Sequence, residues 1–302
     1  MKRKKDIKSP QDKMDAYRRS AIVYKVFTVA FTLAAVVLAV VTLYPYFFSV
    51  IASLRKGFNI YSFRFKFSDL TPYAYERILF GLKDYETGIT IWKWMLNSLI
   101  LSASTTLLTL LFSSMGGYAL ARIEFAGKKA WFAAILAVMM IPGQITLVPK
   151  YIMIVRGLEW GNSYTGLIVP FLFSAYYTFM MRQFFLSFPK ELEEAAIMDG
   201  MGRIGIFVKM LLPLSRAPLL AAGTLLFMGS WGSYLWPKLL LQKQEMYPIS
   251  VGMTLMMNSK YKAAPSIPIA AAIITMLPLL ILFIIFQRYF MESIANTGSK
   301  GA

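Results

Sequence analysis

The side chains able to do chemistry are few, and they are concentrated. Within nine positions the chain places Glu191, Glu193, Glu194 and Asp199, inside "FPKELEEAAIMDGMGRIGIFVKMLLPLSRAPLL". Carboxylates act as metal ligands or as general acids and bases when they converge with suitable partners. This chain has no histidine and no cysteine. Disulfides, thiolate metal sites and cysteine nucleophiles are therefore excluded. The "GKK" that begins at Gly127 lacks the earlier glycine and the following Ser or Thr of a phosphate-cradling loop. The sequence predicts a non-catalytic chain that binds no cofactor or metal of its own. If it does driven work, the driver sits on another chain.

The carboxylate cluster lies between long apolar runs. The chain has 302 residues, 57% of them hydrophobic, against 45–50% in soluble domains. The excess falls in six charge-free windows, residues 26–54, 94–121, 130–149, 160–181, 217–237 and 263–287. Each reaches the ~20 residues that cross a hydrocarbon core as helix. Buried helices of a large soluble protein are the alternative, and six windows of spanning length argue against it. No carboxylate lies inside any window, whereas proton-coupled transport generally needs an intramembrane acid or base. The expected fold is an all-α polytopic membrane protein with six transmembrane helices.

Nine Lys and Arg precede residue 26, which puts the N-terminus in the cytoplasm. Six spans return the C-terminus to the same side. The domains expected are a basic cytoplasmic tail (1–25), a six-helix membrane domain (26–290) and a cytoplasmic C-terminal tail (291–302). The basic tail abuts a span and carries little aromatic interleaving. It reads as a topology determinant that touches anionic lipid, not as a nucleic-acid site. The first span exceeds a signal-peptide core and is expected to be retained. The alternation in "FNIYSFRFKFSDL" suggests a short strand or an interfacial segment. Pro45, Pro142, Pro170 and Pro278 fall in or at the ends of windows, where each removes a backbone hydrogen bond and kinks a helix.

The carboxylate stretch, about 187–213, reads as two short helices around a glycine turn. Pro189 suits a first turn, and Glu191, Glu193 and Glu194 suit the positive end of a helix dipole. Leu192, Ala195 and Ala196 are spaced to share a face. Asp199-Gly200 reads as a stop, since glycine adopts positive φ after a helix. Ile204, Phe207, Val208 and Leu211 give a second amphipathic pattern, broken by Pro213. A small Ala195-Ala196 pair permits close approach of another surface. An interfacial helix resting on headgroups is the alternative.

Here the residues resemble a family. Glu194-Ala195-Ala196, then Gly200, then Met210-Leu211-Leu212-Pro213 resembles the EAA loop of binding-protein-dependent ABC importer permeases, with Met210 where Ile is usual. "ELEEAAIMDG" resembles the carbohydrate-uptake group, in particular the type of the maltose transporter's smaller permease. "NSLILSASTTLLTLLFSSMGGYALARIEF", "MMIPGQITLVP" and "LPLLILFIIFQRYF" follow in the family's order. Two pieces depart from it. "WGSYLWP" has Gly232 where Asn is usual, and the C-terminal tail places Gly298 one position late.

The resemblance implies a permease of the bacterial inner membrane, importing a carbohydrate, most simply an oligosaccharide. It implies three partners: a second, different permease, an ATPase dimer that holds ATP and magnesium, and an extracytoplasmic solute-binding protein. Glu194, Ala195, Ala196, Asp199, Gly200, Leu212 and Pro213 are the implied coupling residues. A non-translocating membrane scaffold and a passive channel are the other readings. Asn97, Gln144, Tyr176, Tyr177, Trp231 and Tyr234 are polar or aromatic residues within or beside spans. Aromatic faces stack on sugar C–H surfaces and amides bond hydroxyls, so these are substrate-path candidates. Helix packing and interface belts are the competing explanation.

Overall fold

The computed structural model describes residues 10–55, 67–81, 90–258 and 264–298. We number nine of its helices: α1 Pro10–Ser53, α2 Ile91–Arg122, α3 Lys128–Met139, α4 Ala175–Leu186, α5 Lys190–Met198, α6 Arg203–Leu214, α7 Arg216–Trp231, α8 Ile249–Asn258 and α9 Ser266–Gly298. Among the described residues there is no strand, only a single bridge between Arg55 and Leu70. Most of "FNIYSFRFKFSDL" lies outside the described residues; its last part forms a 3-10 turn, Phe67–Asp69.

The helix α2 is the hub. It packs along α4 and α7, while α9 packs along α7 and α1. Its polarity is inverted relative to a soluble helix. Asn97, Ser98, Ser102, Thr105, Thr106, Thr109, Ser113 and Ser114 are buried, while Leu96, Leu99, Ile100, Leu107, Leu111 and Met115 are exposed. A hydrocarbon solvent makes that arrangement favourable. Leucines facing lipid cost nothing, and small hydroxyl residues let helices approach closely. Gly117 shows how closely: a Cβ there would stand 2.9 Å from both the Met181 Cβ and the Arg182 backbone nitrogen. The same inversion marks α1, whose side chains from Ile22 to Tyr46 are exposed although almost all are apolar.

Two apolar clusters sit at opposite ends of α2. One gathers Trp94, Leu101, Trp231, Trp236, Tyr247 and Val251. The other gathers Tyr118, Ala121, Met181, Phe185, Ala196, Ile206, Phe207 and Leu211.

Among the described residues, three helices are individually long and apolar enough to cross a membrane: Ala21–Ser53, Ile91–Arg122 and Ser266–Arg288. Two bent pairs bring the number to five: Tyr164–Phe171 with Ala175–Leu186, bent by 43°, and α6 with α7, bent by 78°. The expected crossing from window 130–149 is not one helix. The helix α3 stops at Met139 and the chain turns before resuming at Leu147–Ile152. Pro142 disfavours helix at the residue before it, and Gly143 adds a weak helix former. The prolines thus divide into two kinds. Pro45 and Pro278 lie inside continuous helices, whereas Pro142 and Pro170 lie at breaks.

The 78° elbow falls at Ser215, which is fully buried. Its Oγ donates to the Leu211 carbonyl at 2.6 Å, and its backbone nitrogen shares the same acceptor at 3.0 Å.

Candidate functional site

The carboxylate stretch forms the two helices expected of it. Pro189 takes the N-cap position, one residue earlier than expected, and α5 runs Lys190–Met198. Asp199 caps the end, and Gly200 follows at φ +79°. The Gly200 nitrogen donates to the Ile197 carbonyl and the Met201 nitrogen to the Ala196 carbonyl, both at 2.9 Å. This pair of bonds is the Schellman motif, which satisfies carbonyls that a helix end would otherwise leave open. A residue other than glycine would pay the left-handed penalty here, although open space surrounds the position.

The helix α6 then runs from Arg203 to Leu214, with π-type turns over Ile206–Leu211. Pro213 is exposed and sits within its last turn. The chain breaks at Ser215, two residues beyond the position expected from Pro213. Leu212 is partly buried against the second cluster.

The faces divide differently from the expected pattern. On α5, Ala196 and Glu193 turn inward, while Leu192, Glu194 and Ala195 face solvent. Leu192 therefore does not share a buried face with Ala196. On α6, Ile206, Phe207 and Leu211 are buried, while Ile204 and Val208 are exposed. Apolar surface thus stays open on both helices: Leu192, Ile197 and Met198 on one, Ile204 and Val208 on the other.

What holds the element rigidly is a charge knot that spacing did not reveal. Glu193 is buried, and its Oε1 lies 2.5 Å from Arg203 Nη1. Its Oε2 lies 3.7 Å from Arg122 Nε, an ion-pair distance and not a hydrogen bond. The Arg122 Nη2 donates to the carbonyls of Phe185 and Phe188, at 2.7 and 2.6 Å. The Tyr118 hydroxyl donates to the Arg203 carbonyl at 3.2 Å. Tyr118 also stacks on Phe207 with centroids 5.1 Å apart, and Phe185 meets both rings edge-on. The α5–α6 pair is therefore fastened to the Arg122 end of α2 and the Leu186 end of α4. Three of the four linked groups sit on separate helices, so sequence spacing carries no sign of the knot.

The substrate-path candidates do not converge on one site. Asn97 is buried; its Nδ2 donates to the carbonyls of Glu245 and Tyr247, at 2.6 and 3.0 Å, and its Oδ1 accepts from the Tyr164 hydroxyl at 3.0 Å. Trp231 is buried and its Nε1 donates to the Thr275 carbonyl at 3.2 Å. Both bind segments of the fold together. Tyr176 and Tyr177 meet edge-to-face at 5.1 Å, Tyr176 exposed and Tyr177 half-buried. Gln144 is exposed in the turn after α3, and Tyr234 is exposed just beyond α7. Among the described residues no group of three acidic residues is placed to hold a metal ion.

Comparison with known proteins agrees with this architecture. Residues 16–296 match the family described as "Binding-protein-dependent transport system inner membrane component". The chain is 33% identical over 280 residues to the arabinooligosaccharides transport system permease protein AraQ of Bacillus subtilis (strain 168), covering 92% of this chain and 98% of that one. It is 30% identical over 224 residues to the sn-glycerol-3-phosphate transport system permease protein UgpE of Brucella abortus (strain 2308), covering 74% and 79%. Its fold is similar to a chain in the crystal structure of a bacterial ABC transporter involved in the import of the acidic polysaccharide alginate. That likeness has a TM-score of 0.76 at 22% identity and covers 88% of this chain and 97% of that one. An all-α membrane domain, a pattern of buried hydroxyls with outward leucines, and a family match over nearly the whole length lead to one conclusion: the chain belongs to the binding-protein-dependent inner-membrane permeases of ABC importers.

Proposed function

We propose that this chain imports an oligosaccharide as one of two different permease subunits, and that α5 and α6 receive the stroke of a cytoplasmic ATPase dimer. ATP and magnesium belong to that dimer, and an extracytoplasmic solute-binding protein delivers the sugar. Both termini lie in the cytoplasm of a bacterial cell, with the basic tail against anionic lipid.

The observation that carries this reading is the construction of α5 and α6. Their outer side keeps Leu192, Ile197, Met198, Ile204 and Val208 exposed, while their inner side is fastened to α2 and α4 through Glu193. A surface that is open on one side and rigidly tied to spans on the other can pass on a displacement. Magnitude favours a docked helix over a lone charge pair. Moving a gate from 1:99 to 99:1 needs ~5.5 kcal/mol of differential interaction, whereas a surface ion pair contributes at most ~1 kcal/mol.

The substrate class follows from the relatives. AraQ, matched nearly end to end, is named for arabinooligosaccharides; UgpE, matched over a shorter stretch, is named for sn-glycerol-3-phosphate. The assembled complex in proteoliposomes, offered radiolabelled neutral oligosaccharides, uronate oligosaccharides and glycerol-3-phosphate, tests this. ATP-dependent uptake of neutral oligosaccharides is expected. Uptake without ATP would point to a channel, and no uptake of any solute to a scaffold.

A further inference from the structure

Beside the coupling element, two cavities share one wall. The first, of about 530 Å³, lies between α2, α3 and α4 and is lined almost entirely by apolar side chains, among them Phe112, Trp131, Ala134, Val138 and Phe173. The second, of about 550 Å³, is lined by Glu124, Phe125, Gly127, Lys128, Lys129, Phe132 and Arg182. Phe125 lines both, so the apolar groove and the charged cleft are neighbours. From residue 131 to residue 138 the groove follows about 10 Å of α3.

The charges of the cleft do not cancel. Lys128 Nζ lies 2.9 Å from Glu124 Oε1. That hydrogen bond holds the Glu124 carboxyl below its usual range, so this pair is neutral overall near pH 7. Lys129 and Arg182 remain. Neither pairs with a carboxylate among the described residues. The Arg182 guanidinium carbon lies 3.7 Å from the centroid of the Phe132 ring, and its Nε donates to the Leu120 carbonyl. Trp131 is exposed and lines the groove, and tryptophans favour the headgroup level of a bilayer.

We propose that the two cavities form one binding site for an anionic phospholipid, with its phosphate against Lys129 and Arg182 and one acyl chain along α3 in the groove. Each cavity supplies what one half of such a molecule requires. A neutral lipid satisfies only the groove, and a soluble anion only the cleft. A helix of a partner chain would fill the groove and would need its own carboxylates to meet the two cations. The inference rests on the membrane location of the chain and not on its transport role, so it can fail while the permease reading stands.

The test is lipid retention by the full-length chain. The protein is placed in nanodiscs of equal phosphatidylglycerol and phosphatidylcholine, stripped gently with detergent, and the bound lipids are counted by native mass spectrometry. Preferential retention of phosphatidylglycerol is expected in the wild type. Lys129→Glu should lower that preference about fivefold or more, since a basic residue near an anionic surface contributes about 1 kcal/mol. Ala134→Phe, at an exposed position lining the groove, should release both lipids while the thermal midpoint is kept. Equal retention of the two lipids by the wild type, or unchanged phosphatidylglycerol retention in both variants, overturns the proposal. So does a photo-cross-linker at Val138 that captures a protein chain in place of lipid in the assembled importer.

Discussion

Glu193 and Arg203 are ten residues apart in sequence and 2.5 Å apart in space, joined across the Gly200 turn. Their neighbour Glu194 is exposed and makes no ion pair among the described residues. Adjacent carboxylates thus have different tasks, one inside the protein and one at its surface.

This difference predicts two phenotypes. Glu193→Ala leaves Arg122 buried without its counter-charge, and losing one partner of a buried pair costs about 3–5 kcal/mol. The lower end applies, because Arg203 is about half exposed. A lowered thermal midpoint of the solubilised chain is expected. Glu194→Ala should leave that midpoint unchanged and reduce sugar-stimulated ATPase in the assembled complex. Equal loss of stability in both variants would contradict the division.

At Gly200 the cost is conformational. Left-handed geometry disfavours other residues by about 1–2 kcal/mol, asparagine least among them. Since an added Cβ would meet nothing within 4 Å, Gly200→Asn should retain transport and Gly200→Val should lose coupling of ATPase to uptake. Full transport in Gly200→Val would show that the turn does not matter to coupling.

Gly117 is constrained for the opposite reason, by neighbours and not by φ. A methyl group would meet the Met181 Cβ and the Arg182 nitrogen at 2.9 Å, so α2 and α4 must part. Gly117→Ala is expected to destabilise by about 1–3 kcal/mol, read as a lowered thermal midpoint. Gly116→Ala should do less, because its nearest neighbour is the Thr178 side chain at 3.3 Å.

Asn97 separates packing from substrate contact. Asn97→Ala removes two donors from the Glu245 and Tyr247 carbonyls, a loss of about 1–3 kcal/mol. Stability should fall while the apparent affinity for sugar stays unchanged. An altered affinity at normal stability would restore Asn97 to the substrate path.

How much could be read from the sequence depended on the range of the interactions. The windows at α2 and α9 became helices of spanning length, because they combine charge-free length with no adjacent Pro-Gly pair to break the backbone. The glycine turn after Asp199 was legible because it depends on neighbouring residues. Window 130–149 misled, since hydropathy averages over the Pro142-Gly143 break that local backbone sterics impose. The spacing of Leu192, Ala195 and Ala196 gives no sign that Glu193 turns inward, because its partners Arg203 and Arg122 lie on other helices. Asn97 drew attention as a polar group in a span, yet its acceptors lie 148 and 150 residues away. No local pattern records such a distance.

The elbow at Ser215 sets the direction in which work can travel. Because α6 and α7 meet at 78°, a thrust along α6 arrives almost wholly across the axis of α7 and hardly along it. On the proposed coupling role, the joint would behave as a bell crank. It would turn a push along α6 into a tilt of α7, where a straight junction would deliver only a piston stroke. The Glu193 knot fixes the driven end of the crank to α2 and α4, so the same push reaches three helices together.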